Sequence, residues 1–461
     1  MTIPLRSLNW NASTVSIGIC SHGRSRVTLS LLQPQCWRYP NGMLEFSDAP
    51  YQFFEAKPSP PLIWLGRKLN QRWVVPGSNH LIKELKIQGE TEATQDCLSR
   101  GERIVFVFNH PSHSDPQVVT EIHHRLGIPS CFMAAYDVFL RRKFAAWAMQ
   151  RLGNFSIDRE GSDRKAMAAA SGVISNGDFA LNIFPEGNVY LTNDRATPFL
   201  DGTAFIALQA QKKLKNTPVK VIPISLKFSH LTLPRDTVTK RLVQLGRASG
   251  HTYTPGVDPI GAVTSLGAHI VRDYLAAHGF GVTVDANPEE LAGALKLFAN
   301  DLVSDLESNL NLEAKPDQPL VDRIRRIRST IHQMKTSGSG EHVCEDIDAL
   351  SNKAILAFRI HGYLTPYLFE KPTVDRFDET VERIAEDFYS KLMPRTGPRR
   401  GYAHLHSPLD VSDYLEQAGG KLRGAVSSLT RDMEQRVQHG IDLINEQNDA
   451  PGGTPISELP D

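Results

Sequence analysis

The chain predicts an α/β fold: a mainly parallel or mixed sheet covered by helices, followed by a mostly α-helical C-terminal region. Three observations carry this expectation. Short apolar runs such as Ile104-Val105-Phe106-Val107-Phe108 end in polar turns, as strands buried on both faces do. Stretches of helical periodicity separate these runs, so strand and helix alternate. After about residue 260 the strand-like runs give way to long helical patterns.

The elements follow in order. Residues 1–55 form an N-terminal extension with short strand-like runs, such as 26–32. The run Lys57-Pro58-Ser59-Pro60-Pro61 punctuates the chain. Residues 62–75 place Trp64, Leu65, Leu69, Trp73 and Val74 beside Arg67, Lys68 and Arg72. That pattern suits a membrane interface, and equally a helix packed on its own core. An alternating unit over 56–260 then predicts strands at 104–108, 131–135, 179–184 and 219–226, with helices at 116–126, 139–152, 162–175 and 203–213. Ser162 or Asp163 is a plausible cap for the third of these helices. The region 261–447 predicts helices at 288–310, 320–335, 346–363, 374–392 and 412–445. Residues 336–340 read as a flexible linker and 394–400 as an irregular break. The Pro/Gly-rich tail 448–461 reads as disordered.

Composition removes several function classes. Lys plus Arg and Asp plus Glu balance at 51 each, so net charge gives no argument for nucleic-acid binding. The five cysteines are scattered and lack CxxC spacing, which argues against a disulfide framework or a cysteine zinc site. The first 26 residues lack the apolar core of a secretory signal. No run reaches the ~20 apolar residues that span a bilayer. The expectation is a cytoplasmic protein that meets lipid from the membrane surface.

The chemistry-bearing constellation is Asn109-His110-Pro111-Ser112-His113-Ser114-Asp115, directly after an apolar strand. Ligands of open α/β sheets bind beyond such strand ends. A carboxylate five residues after a histidine can take a hydrogen bond from one ring nitrogen and fix the other as proton acceptor. Such a dyad can deprotonate an attacking hydroxyl, a contribution of roughly a hundred- to ten-thousandfold. The segment Gly153-Asn154-Phe155-Ser156-Ile157-Asp158-Arg159 ends in a planar cation suited to phosphate, or to an ion pair with Asp158. Phe184-Pro185-Glu186-Gly187-Asn188 follows another buried strand with a tight turn.

Together these residues resemble the glycerolipid acyltransferases, which include the lysophosphatidic acid acyltransferases. Asn109-His110-x-Ser112-x-x-Asp115 is similar to the NHxSxxD form of their HX4D motif. Gly153 to Arg159 resembles their second block, Phe184-Pro185-Glu186-Gly187 their third and Val221-Ile222-Pro223-Ile224 their fourth, in the same order over about residues 80–230. The resemblance implies His110 as general base, Asp115 as its orienter, Arg159 on an acceptor phosphate, and Glu186 and Gly187 shaping the acceptor site. It also implies Pro223 on a strand lining the acyl region. It implies acyl-CoA or acyl carrier protein as co-substrate, a lysolipid or glycerol-phosphate-type acceptor, a membrane surface and no metal. Two departures stand out. Asn188 and Val189 replace the expected hydroxyl residue and arginine, with Arg195 a few residues on, and His113 is an extra histidine inside the first block.

Two other readings compete. His110, His113 and Asp115, with His123 and His124, have the residue types of a metal-dependent hydrolase, although the H-x-H-x-D-H spacing is absent. A non-catalytic lipid-binding scaffold would use the long helices, with Arg323, Arg325, Arg326 and Arg328 as a basic stripe.

Overall fold

The computed structural model describes residues 51–161, 163–251, 259–277, 288–315, 317–337, 346–363 and 367–458. The strand-like run at 26–32 and most of the 336–340 linker lie outside these residues. The described strands are β1 (Ile82–Gly89), β2 (Arg103–Phe108), β3 (Ser130–Ala135), β4 (Phe155–Ile157), β5 (Ala180–Ile183), β6 (Val219–His230), β7 (Arg399–Leu405) and β8 (Leu409–Asp410). They form one sheet in the order β1-β7-β6-β2-β5-β3-β4, with β8 paired to β6. From β6 through β4 the strands run parallel, whereas β7 is antiparallel to β6 and parallel to β1. The α/β class expected from alternation is the one observed.

Alternation along β2 divides the core, because successive side chains of a strand point to opposite faces. Val105 and Val107 join Leu181, Ile183, Val219 and Val221 beneath helices on one face. Ile104, Phe106 and Phe108 join Ile222, Ile224 and Leu226 on the other, where Val118, Val119 and Ile122 of the Asp115–Arg125 helix cover them. The expected 139–152 helix is two helices, Tyr136–Leu140 and Lys143–Arg151.

The C-terminal region is mostly helical, as expected, but it also completes the sheet. β7 lies between β1 and β6, and the Leu422–Glu446 helix lays Leu429, Met433, Val437 and Ile441 onto the β2/β6 face. The break expected at 394–400 therefore leads into a strand. The helix expected over 412–445 is two helices, Val411–Gln417 and Leu422–Glu446, parted by Gly419 and Gly420 at φ 58° and 76°. Left-handed backbone of this kind ends a helix at low cost only with glycine. The helices Pro288–Asn309, Leu320–Ser337 and Ile347–His361 share a separate core around Leu302, Leu306, Ile327 and Ala357. The Val374–Tyr389 helix is tied to the sheet by buried charge. Arg376 Nε donates to Asp194 Oδ2 at 2.7 Å, and Lys227 of β6 pairs with the other oxygen of the same carboxylate.

The tail was expected to be disordered, yet 448–458 is ordered against the sheet. Tyr402 Oη donates to Asn448 Oδ1 at 2.9 Å, Asn448 Nδ2 donates to Ser229 Oγ at 3.0 Å, and Pro455 bridges Thr373. Proline and glycine composition marks a chain that makes few local hydrogen bonds. It says nothing about the distant partners that fix this one. Among the described residues no helix is long and apolar enough to cross a membrane.

Candidate active site

β2 ends at Phe108, and the next seven residues turn over the carboxyl end of the sheet. Asn109 anchors the turn. Its Nδ2 donates to Leu226 O at 2.8 Å and its Oδ1 accepts from Leu226 N at 2.7 Å, so the side chain extends the β2–β6 ladder by one rung. His110 follows on a fixed backbone, its ring stacked on Phe184 with centroids 4.2 Å apart.

Nδ1 of His110 lies 2.6 Å from Oδ2 of Asp115, the first residue of the Asp115–Arg125 helix. The Ser112 backbone N–H donates to the same oxygen at 3.0 Å. An oxygen already accepting from an N–H marks the carboxylate as acceptor, so the shared proton belongs to His110 Nδ1. The lone pair of the neutral ring is then on Nε2. Burial holds the Asp115 carboxyl above its ordinary range, while the hydrogen bonds from His110 and Ser112 pull the other way.

The His110 ring lines a cleft of about 1130 Å³. Its apolar walls include Leu65, Leu69, Phe132, Met133, Phe144 and Trp147. Phe144 of the lining is 77% exposed, and Trp64 and Trp73, next in sequence to the lining residues Leu65 and Val74, are 64% and 65% exposed. The amphipathic 62–75 stretch, observed as an α-helix Pro60–Leu69 running into a π-turn Asn70–Val74, thus presents its rings outward beside the cleft.

The other expected site residues are placed as follows. Arg159 lines the cleft, but Nη1 donates to Gly187 O at 2.8 Å and Nη2 to Asp137 Oδ1 at 3.2 Å. Gly187, at φ 74°, also lines the cleft, and an added Cβ would come 2.9 Å from Leu200 Cδ1. Glu186 does not line it. Its carboxyl is buried and accepts from the backbone N–H groups of Thr197 and of His110 itself. Burial, opposed by those bonds, pushes it up to about 8, so at neutral pH it is mostly the neutral acid. Pro223 is buried inside β6 opposite Val107. Its carbonyl accepts from His406 N at 3.0 Å, just past the end of β7, so the missing N–H falls at the gap between Leu405 of β7 and Leu409 of β8. Arg195 pairs with Glu370 and lies outside the cleft lining.

Histidines that sequence grouped together have separate partners. His113 Nε2 meets Glu386 Oε2 at 3.1 Å, and His123 Nδ1 meets Ser130 Oγ at 2.7 Å inside the core. Among the described residues no group of three or more His, Cys, Asp or Glu is placed to hold a metal ion. Burial lowers His113 to about 3, which favours its neutral form, and raises Glu386 to about 7.

The long helices contribute a cleft wall that no local pattern announces, comprising Phe358, Arg359, Arg383, Glu386 and Asp387. The Leu320–Ser337 helix also grips both neighbours of Arg159. His332 Nε2 lies 2.7 Å from Asp158 Oδ2, and Arg328 pairs with Glu160.

Comparison with known proteins agrees with this geometry. Residues 85–227 match the Acyltransferase family model. A glycerol-3-phosphate acyltransferase from Alteromonas mediterranea is 24% identical over 247 residues, covering 49% of this chain and 29% of that protein. The chain therefore spans less than a third of that relative's length. The segment similar to the Acyltransferase family contains the sheet strands β2 to β5, most of β6 and the whole His110–Asp115 turn.

Proposed function

We propose that the protein moves a fatty acyl group from acyl-CoA or acyl carrier protein onto a hydroxyl of a glycerol-phosphate or lysophospholipid acceptor. The observation that carries this reading is the His110–Asp115 pair at the end of β2, with the rest of the His110 ring on the cleft. The acceptor oxygen attacks the thioester carbonyl as its proton passes to His110 Nε2. Asp115 stabilises the imidazolium that forms. When the carbon–sulfur bond breaks, the proton passes from Nε2 to the departing thiolate, and an ester and a free thiol result. The name of the Alteromonas relative favours a glycerol-phosphate acceptor.

The membrane supplies the lipid partner in this reading. Trp64, Trp73 and Phe144 enter the interface beside the cleft mouth, with Arg141, Arg142 and Lys143 near the headgroups. Each basic residue adds about 1 kcal/mol on an anionic surface. Replacing the three with Glu is expected to abolish salt-sensitive co-sedimentation with anionic vesicles. Equal binding by wild type and triple variant at low salt contradicts this face.

Activity is tested by incubating the protein with an acyl thioester and a panel of glycerol 3-phosphate, lysophosphatidate and other lysophospholipids, then identifying products by mass spectrometry. An acylated product that requires His110 is the expected outcome. Absence of any acylated product across donors and acceptors contradicts the proposal.

A further inference from the structure

We infer that Arg383, on the Val374–Tyr389 helix, is the residue that binds a phosphate monoester on the acceptor. The inference rests on the acyl-transfer reading above and names the group that selects its acceptor.

The cations on the cleft differ in what already occupies them. Arg159 is held by Asp137 and by Gly187 O, and Arg141 lies 4.0 Å from Asp137. Arg67 donates to Ile128 O, and Arg359 pairs with Asp387 at 3.4 Å. Position 189, where the third block is expected to carry an arginine, is Val189. Arg383 lines the cleft, and among the described residues no carboxylate lies within ion-pair distance of it. The neighbouring carboxylates are committed elsewhere. Asp387 takes Tyr363 Oη and Arg359, and Glu386 takes His113 and the Met393 N–H.

Arg383 is nevertheless held in place. Nη1 donates to Gly362 O at 3.0 Å, and the guanidinium lies over the Tyr363 ring, 4.7 Å from its centroid. Gly362 makes room for it: an ideal Cβ there would come 1.4 Å from Arg383 Nη2. The φ of Gly362 is −68°, which any residue adopts, so space and not backbone demands the glycine. A fixed planar cation without a carboxylate partner suits a phosphate, which it can meet with two parallel N–H groups.

Its position fits the chemistry. Arg383 and Glu386 are three residues apart on one helix and share a face. Glu386 touches His113, three residues from His110. Arg383 thus stands slightly less than one helical turn, about 4.5 Å of rise, from a contact with the catalytic turn. Arg151 also lines the cleft and among the described residues has no carboxylate partner, but it ends the Lys143–Arg151 helix, and no described contact links it to that turn.

The test is a calorimetric titration of the full chain with glycerol 3-phosphate and, separately, with short-chain lysophosphatidate. The tighter of the two identifies the acceptor. Wild type is expected to bind, Arg383→Gln at least tenfold more weakly, and Arg383→Lys between them. Gly362→Ala keeps the charge but displaces the guanidinium, and it is expected to weaken binding as Arg383→Gln does. Melting temperatures check that each variant is folded, and Arg383→Lys and Gly362→Ala decide the matter if Arg383→Gln is not. Binding by folded Arg383→Gln equal to wild type, or no binding of either phosphate monoester by wild type, overturns the inference. The two readings separate cleanly. Wild type that binds the monoester yet transfers no acyl group contradicts the proposed function and leaves Arg383 standing. Wild type that transfers acyl groups while Arg383→Gln and Gly362→Ala bind normally contradicts Arg383 alone.

Discussion

Two histidine–aspartate pairs stand at the carboxyl ends of neighbouring parallel strands. His110 follows β2 and holds Asp115 through Nδ1 at 2.6 Å, and His230 ends β6 and holds Asp375 through Nδ1 at 2.9 Å. By this contact alone they are the same device. Their second nitrogens differ. No described residue is paired with His110 Nε2, and the ring faces the cleft. His230 Nε2 meets Thr396 Oγ1 at 3.1 Å and Asp378 Oδ2 at 3.3 Å. Burial would lower His230, but Asp375 and Asp378 outweigh it and lift the ring to about 9. An imidazolium closed in by two carboxylates has no lone pair to offer. It fastens the Val374–Tyr389 helix to the sheet, whereas His110 leaves Nε2 without a described partner on the cleft. A histidine–aspartate contact is therefore not itself a base; an open second nitrogen on a cleft is what separates the two.

Asp115→Asn is the largest break in that contrast short of removing the base. The amide can present its N–H₂ to Nδ1 and reverse the tautomer. A loss of about a hundredfold in kcat is expected, within the range of general-base effects. Steady-state assays on protein with an unchanged melting temperature check it.

His230 is expected to act on stability. Its folded pKa is raised, so its contribution is fully present below the unfolded value of about 6.5 and is lost as pH rises through about 9. The shift corresponds to roughly 3 kcal/mol, as an order of magnitude. Wild type should lose melting temperature across that window, and His230→Gln should start lower and lose less. Thermal melts from pH 6 to pH 10 settle the slope, and parallel slopes in the two proteins contradict the account.

Glu186 gives the smallest effect. Its neutral acid braces the His110 backbone, so Glu186→Gln should stay within a few-fold of wild type. Glu186→Ala, which removes the brace, should lose about tenfold in kcat. A charge-dependent role at the acceptor would make Gln as damaging as Ala.

What sequence made legible was local. His110 and Asp115 are five residues apart, and a strand end followed by a helix start brings them together without help from elsewhere. The 104–108 run of β2 was legible because burial on both faces leaves it wholly apolar, and the β3, β5 and β6 runs because they are mostly apolar despite Asn182, Lys220 and Ser225. β7 was not, because Arg399-Arg400-Gly401-Tyr402-Ala403-His404-Leu405 carries polar groups whose partners, such as Glu84 and Asn448, lie far along the chain. For the same reason the cleft wall of Arg383 and Glu386 had no local signature, being about 270 residues from the turn it meets. The type of Arg159 was legible, but its attachment to Asp137 depends on a helix 22 residues earlier. Glu186 was expected to face the acceptor, and the fold turns it inward onto the backbone of His110.

The most direct test sets the two histidines side by side. Acyl transfer from a thioester to the preferred acceptor is followed by product mass spectrometry in wild type, His110→Ala and His230→Gln, each corrected for the folded fraction. The account predicts a loss of about a thousandfold in His110→Ala and a rate per folded molecule within a few-fold of wild type in His230→Gln. Near-wild-type turnover by folded His110→Ala, or an equal loss in both variants, would contradict it.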